Sequence, residues 1–235
     1  MSYVLALAVL PALILLFYTY QQDRLKPEPV KMVAKGFGWG CLSVLASLCI
    51  SGPLMLIGLV PTEQSSFGDV VNTAFLGAAI PEEAAKLLCL WLFLRKNPYF
   101  DERMDGIVYA VSVGMGFAAF ENLEYLLVAE ENWVTVGIGR SLTAIPGHFG
   151  FAVIMGYYYS RDHFDHAPGA SWKMLLYPIL AHGIYDTVAM ASNVNEELSG
   201  VIVIVILLFV MSMVKWARKR MAEHLNEDSK DVPDD

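Results

Sequence analysis

Seven long, predominantly apolar stretches, near residues 3–20, 36–60, 70–94, 105–129, 133–159, 171–191 and 199–217, take up most of this 235-residue chain. Each can cross a hydrocarbon core of about 30 Å, since a helix needs roughly 20 such residues to do so. Backbone polar groups in lipid must pair within the protein, and stretches this long and unbroken exceed barrel strands. The expected class is therefore all-α: a polytopic integral membrane protein with about seven transmembrane helices. With 56% hydrophobic and 17% charged residues, the chain has too little polar surface for a water-soluble domain of this size. One membrane domain over residues 1–217 is expected, followed by a short charged tail over 218–235 too polar to fold alone and hence disordered. The first stretch has no Lys or Arg before it and no small-residue cleavage site after it, and is expected to be a retained span.

Lys and Arg accumulate on the cytoplasmic side of membrane proteins, so their distribution tests both the span count and the orientation. The first connection carries Arg24, Lys26, Lys31 and Lys35; the third Arg95, Lys96 and Arg103; the fifth Arg161 and Lys173. The tail adds Lys215, Arg218, Lys219, Arg220 and Lys230, while the second, fourth and sixth connections have none. This alternation predicts the N-terminus outside and the C-terminus inside. Cys41, Cys49 and Cys89 all fall inside apolar spans, where cysteine behaves as a small apolar residue, so neither a disulfide nor a metal role is expected of them. The Asp162-His163-Phe164-Asp165-His166 stretch reads as a solvated connection rather than a metal site. Gly114, Gly116, Gly150 and Gly156 read as close-packing positions between helices.

Against this apolar background, four consecutive spans carry nine ionisable residues: Glu82, Glu83 and Lys86; Glu121 and Glu124; Arg140 and His148; His182 and Asp186. Charges at helix centres cost about 2.5–3.5 kcal/mol each, so this set facing lipid would cost on the order of 20 kcal/mol. They are expected to face one another or a water-filled cavity. Glu82 and Lys86, like His182 and Asp186, are i, i+4 neighbours; Glu83 and Lys86, and Glu121 and Glu124, are i, i+3. At about 1.5 Å per residue, Glu82, Glu83, His148 and His182 all fall near mid-bilayer, with Glu121 closer to the outer face. One site is implied. Glu124 and Arg140, towards the outer interface, read as structural.

Two hydrolytic logics use these residues. A buried glutamate can act as general base on water while a histidine stabilises the oxyanion. Alternatively, Glu82, Glu121, His148 and His182 can hold a divalent metal that activates the water. No other cofactor is expected, and no nucleic-acid partner. There is no G-x-S-x-G and no H-E-x-x-H, which leaves serine and zincin mechanisms unsupported. A proton-coupled transporter would also use intramembrane carboxylates and histidines, but no internal repeat is evident.

Glu82-Glu83-x-x-Lys86, then Asp105-Gly106-Ile107-Val108-Tyr109-Ala110 leading into Gly116-Phe117-Ala118-x-x-Glu121-Asn122, then His148, then His182-Gly183-x-Tyr185-Asp186, together resemble the PrsW family of bacterial intramembrane proteases, within the superfamily of CAAX-processing and bacteriocin-immunity proteases. Lys26-Pro27-Glu28-Pro29 adds to the likeness, which runs from about residue 10 to 190. The resemblance implies a glutamate-dependent endopeptidase of the bacterial cell membrane. It would make the first cut in a membrane-anchored anti-sigma factor, near its extracytoplasmic side, and so begin sigma-factor release. It further implies that Glu82, Glu83, Glu121, His148 and His182 form the catalytic set, with Lys86, Asn122, Asp186 and Arg140 in support.

Overall fold

The computed structural model describes residues 2–195, 197 and 199–231, and these are helical apart from the connections. The helices are α1 (Ser2–Gln22), α2 (Val30–Leu56), α3 (Phe67–Asn72), α4 (Ile80–Leu94), α5 (Arg103–Val128), α6 (Trp133–Leu142), α7 (Ala144–His163), α8 (Ala170–Met190) and α9 (Ser199–Asp231). A π-helical stretch, Thr73–Ala79, joins α3 to α4 into one rod, so the seven expected spans correspond to seven rods, of which the fifth is broken between α6 and α7. By length and apolarity alone, α1, α2, α5 and α9 qualify as membrane spans. The α4, α7 and α8 rods fall short of that standard, and they carry Glu82, Glu83, Lys86, His148, His182 and Asp186.

Helix α5 is the axis of the bundle, buried along most of its length between α1, α2 and α7. Small residues allow its neighbours so close. A Cβ on Gly40 of α2 would stand 2.0 Å from the Val113 carbonyl oxygen, and one on Gly156 of α7 would stand 2.4 Å from that of Gly106. By contrast, α1, α2 and α9 turn large apolar side chains outward, among them Phe17, Leu45 and Leu208, as helices in contact with lipid must. The three cysteines are unpaired thiols.

The Lys- and Arg-rich connections share one end of the bundle. Lys26 pairs with Asp101, while Arg103 pairs with Asp165, Asp228 and Asp231, joining the first, third and fifth connections to the end of α9. Asp165 is thereby an ion-pair partner of Arg103 and Arg161.

Two features depart from expectation. The fifth rod breaks at Thr143 (φ −125°, ψ −68°) because Pro146, four residues after Leu142, cannot donate to the Leu142 carbonyl and its ring crowds that oxygen. The stretch expected to be a disordered tail is instead helical to Asp231. Met221, His224 and Asp228 recur at helical spacing and are buried, with the His224 ring stacked on Tyr157 at 4.6 Å. Residues 232–235 lie outside the described set.

Candidate active site

Pro81 sits where α4 begins and has no N–H to give the turn before it. The chain accommodates it through the π-helical turn, in which the Ile80 N–H reaches back to the Phe75 carbonyl. The glutamates that follow project differently. Glu83 is sealed in the interior: its Oε1 accepts from Lys86 Nζ at 2.8 Å and lies 2.9 Å from His182 Nδ1, while Oε2 has no donor. Glu82 is 14% exposed, with its Oε2 3.4 Å from Lys86 Nζ and 3.8 Å from His182 Nε2. Asp186 Oδ2 lies 3.2 Å from the same His182 nitrogen, so carboxylates flank both ring nitrogens.

A second half comes from α5, α6 and α7. His148 Nε2 is 2.9 Å from Glu121 Oε2, and its Nδ1 is 3.3 Å from Lys86 Nζ, which joins the two halves. Arg140, from the last turn of α6, donates to Glu121 at 2.6 Å and to Asn122 Oδ1 at 2.9 Å, and Asn122 donates to the Ala8 carbonyl at 3.2 Å. The break at Thr143 lets α6 bring Arg140 there. The expected catalytic and supporting residues thus converge, with Arg140 closer to the centre than an interfacial anchor would be. Glu124 is exposed and lies at the cavity that Glu82 and Glu121 also line.

Aromatic rings that no charge-based argument would select form the walls. Phe151 stacks on His182 at 4.8 Å, Phe117 lies 3.8 Å under the Lys86 ammonium, and Tyr125 lies 3.7 Å from the Arg140 guanidinium. Gly183 lets α8 pack on the π-helical turn, since a Cβ there would stand 2.3 Å from the Phe75 ring. A cavity of about 360 Å³ opens on Glu82 and Glu121 between α2, the π-helical turn and α5, with Ser47, Gly77 and Phe117 among its lining.

A polytopic helical bundle enclosing glutamates and histidines beside an apolar cavity is suited to hydrolysis within the membrane. The chain belongs to the PrsW family, described as intramembrane metalloproteases, whose family model matches residues 28–214. Relatives named Protease PrsW include one from Geobacillus kaustophilus, 35% identical over 79% of each chain, and one from Bacillus subtilis, 33% identical over 80% of this chain and 83% of its own. A third, from Clostridioides difficile, is 30% identical over 95% of this chain and 92% of its own. No solved structure matches. The protein is an intramembrane protease with a membrane-anchored protein as substrate.

The donor set fits the metal that the family description implies. Glu82, His148 and His182 each bring one ligand atom within 4.8 Å of the others, a His2Glu set of the kind hydrolytic zinc sites use. Glu83 stands against His182 Nδ1, the carboxylate–histidine arrangement that orients a metal ligand, and leaves Nε2 on the side of Glu82. Glu121 is not in that ligand set: Arg140 and His148 take it up instead.

Proposed function

We propose that Glu82 is the carboxylate that meets water and the scissile peptide, and that Glu83 is a positioning residue. The observation carrying this is their opposite exposure: Glu82 lines the cavity and Glu83 is sealed behind it against Lys86 and His182. A divalent metal, when bound, would be held by Glu82, His148 and His182 and would supply a Lewis acid that makes water a stronger nucleophile at neutral pH. Glu82, with one oxygen turned to Lys86 and His182, keeps a second to take the proton of the attacking water and pass it to the leaving amine. Glu83 fixes the His182 ring through Nδ1, and Glu121 fixes His148, so neither imidazole needs to reorient as charge develops on the carbonyl oxygen. The apolar walls exclude bulk water from the reacting groups.

The cavity is lined from the late part of α2, the π-helical turn, the late part of α5 and Met190, all next to the connections that lack Lys and Arg. By the charge rule that end is extracytoplasmic, with the N-terminus outside and the C-terminus inside. Substrate then enters from the outer half of the bacterial cell membrane. This supports first-site cleavage of a membrane-anchored anti-sigma factor close to its extracytoplasmic side.

The test is cleavage of a single-span reporter carrying an anti-sigma ectodomain by wild type, Glu82→Gln, Glu83→Gln and His182→Ala, with and without chelator. Glu82→Gln is expected to stay folded and lose at least about a hundredfold in kcat, the ordinary contribution of a general base. Loss of wild-type activity in chelator with recovery on adding metal assigns the hydrolysis to the metal form; activity kept in chelator assigns it to the carboxylate alone. Undiminished cleavage by folded Glu82→Gln would sink the assignment.

A further inference from the structure

At the opposite end of the bundle lies a second carboxylate cluster that the hydrolytic site does not use. Asp23, just past α1, and Glu102 and Asp105, at the start of α5, each bring a carboxylate oxygen within 4.8 Å of the others. Asp105 and Glu121 are sixteen residues apart on α5, roughly 24 Å at 1.5 Å per residue, so this cluster is separate from the one around His148 and His182. Asp23 is 2% exposed and Asp105 fully buried. Each has an oxygen already committed: Asp23 Oδ2 accepts from the Glu28 N–H at 3.2 Å, and Asp105 Oδ2 accepts from the Asp101 and Glu102 N–H groups at 2.9 and 2.6 Å. The other Asp23 oxygen and Glu102 Oε2 are buried without any hydrogen-bond donor.

Asp105 shares a side-chain hydrogen bond with Glu28, but Asp23 Oδ1 and Glu102 Oε2 face the same space with no partner, which is costly unless something positive joins them. Among the described residues no Lys or Arg nitrogen comes within 4.0 Å of any of the three. Lys26 is held by Asp101, and Arg103 by Asp165, Asp228 and Asp231. Glu28 adds a fourth carboxylate nearby, itself accepting from the Tyr109 hydroxyl.

We infer that Asp23, Glu102 and Asp105 bind a hard divalent cation, Mg²⁺ or Ca²⁺, which staples the α1–α2 connection to the start of α5. All-oxygen, carboxylate-rich ligation suits these ions and disfavours the softer metals that imidazole attracts. The ion neutralises the orphaned oxygens and holds the end of the bundle remote from the cavity, so it acts on stability rather than on the chemistry.

The experiment uses the full chain in detergent after chelation. Mg²⁺ and, separately, Ca²⁺ are titrated while the Tm is followed, and Mn²⁺ binding is counted by electron paramagnetic resonance. The expected result, read in Glu82→Gln so that the hydrolytic site lacks its carboxylate ligand, is a saturable rise in Tm and about one equivalent bound, both lost when Asp23→Asn or Glu102→Gln is added. The ion that acts at the lower concentration is the occupant. Glu102→Gln changes the least buried of the three ligands and keeps the readout available should Asp23→Asn not fold. No rise with either ion, or an equal rise in folded Glu102→Gln, would overturn the inference.

Discussion

Lys86 is the residue on which both halves of the candidate site depend. Its ammonium touches Glu83, Glu82 and His148 and lies over the Phe117 ring, with its side chain 4% exposed. Removing one partner of a buried pair leaves the other charge unpaired and costs about 3–5 kcal/mol, far more than an exposed pair is worth. Lys86→Met should therefore lower unfolding stability by about that amount in a denaturant titration of the detergent-solubilised protein. Adding Glu83→Gln should recover part of the loss, because the stranded carboxylate is then gone. Simple addition of the two losses would mean that the pair contributes no coupling. The set of charged residues was legible in the sequence, since charges in lipid must find one another. The division of labour between Glu82 and Glu83 was not, because i and i+1 positions both face inward and only the packed helices decide which one reaches the cavity. Phe151 and Tyr125 are not legible for a related reason: aromatic residues are ordinary in apolar spans, and nothing in their spacing marks a wall.

Helix geometry sets where these residues point. The seven rods were legible because runs of roughly 20 apolar residues have one stable form in a bilayer. The π-helical turn before Pro81 and the break before Pro146 do not follow from the sequence, although both prolines are visible, since a proline in a span can be absorbed by a kink, a π turn or a break according to its neighbours. At the π turn the neighbour is Gly183 of α8. Gly183→Ala should force α8 off Phe75, cost about 1–3 kcal/mol and depress cleavage by displacing His182. A second change, Phe75→Leu, should restore activity; if it does not, the close approach is not what limits that position. The helical extension of α9 was missed because its reason is non-local. The Asp228 carboxylate accepts from the Arg103 and Met104 N–H groups at 3.1 and 2.9 Å, capping the start of α5 from 124 residues away. Asp228→Ala should cost about 1–2 kcal/mol, as loss of a helix cap does, and expose residues 221–231 to protease. Unchanged protection of that segment would argue against capping as what holds it.

Taken whole, the molecule separates a reactive end from an anchored one. The Lys- and Arg-bearing connections are cross-tied by Lys26, Arg103 and Arg161, while the cavity lies at the other end, where the connections contain no Lys or Arg to make such ties. A protein substrate fixed in the same bilayer has to arrive from the side. The cavity's edge at Leu48 on α2 is open, that side chain being 56% exposed. Leu208 on the outward face of α9, 60% exposed, is not part of that cavity's lining. A photocrosslinking side chain at position 48 should therefore capture a single-span substrate in membranes, and one at position 208 should capture only lipid. Glu82→Gln should strengthen capture at 48, since substrate would enter without being cut. Equal capture at both positions would mean that the substrate has no preferred side of entry, and the cavity would then be an inner wall of the site rather than its door.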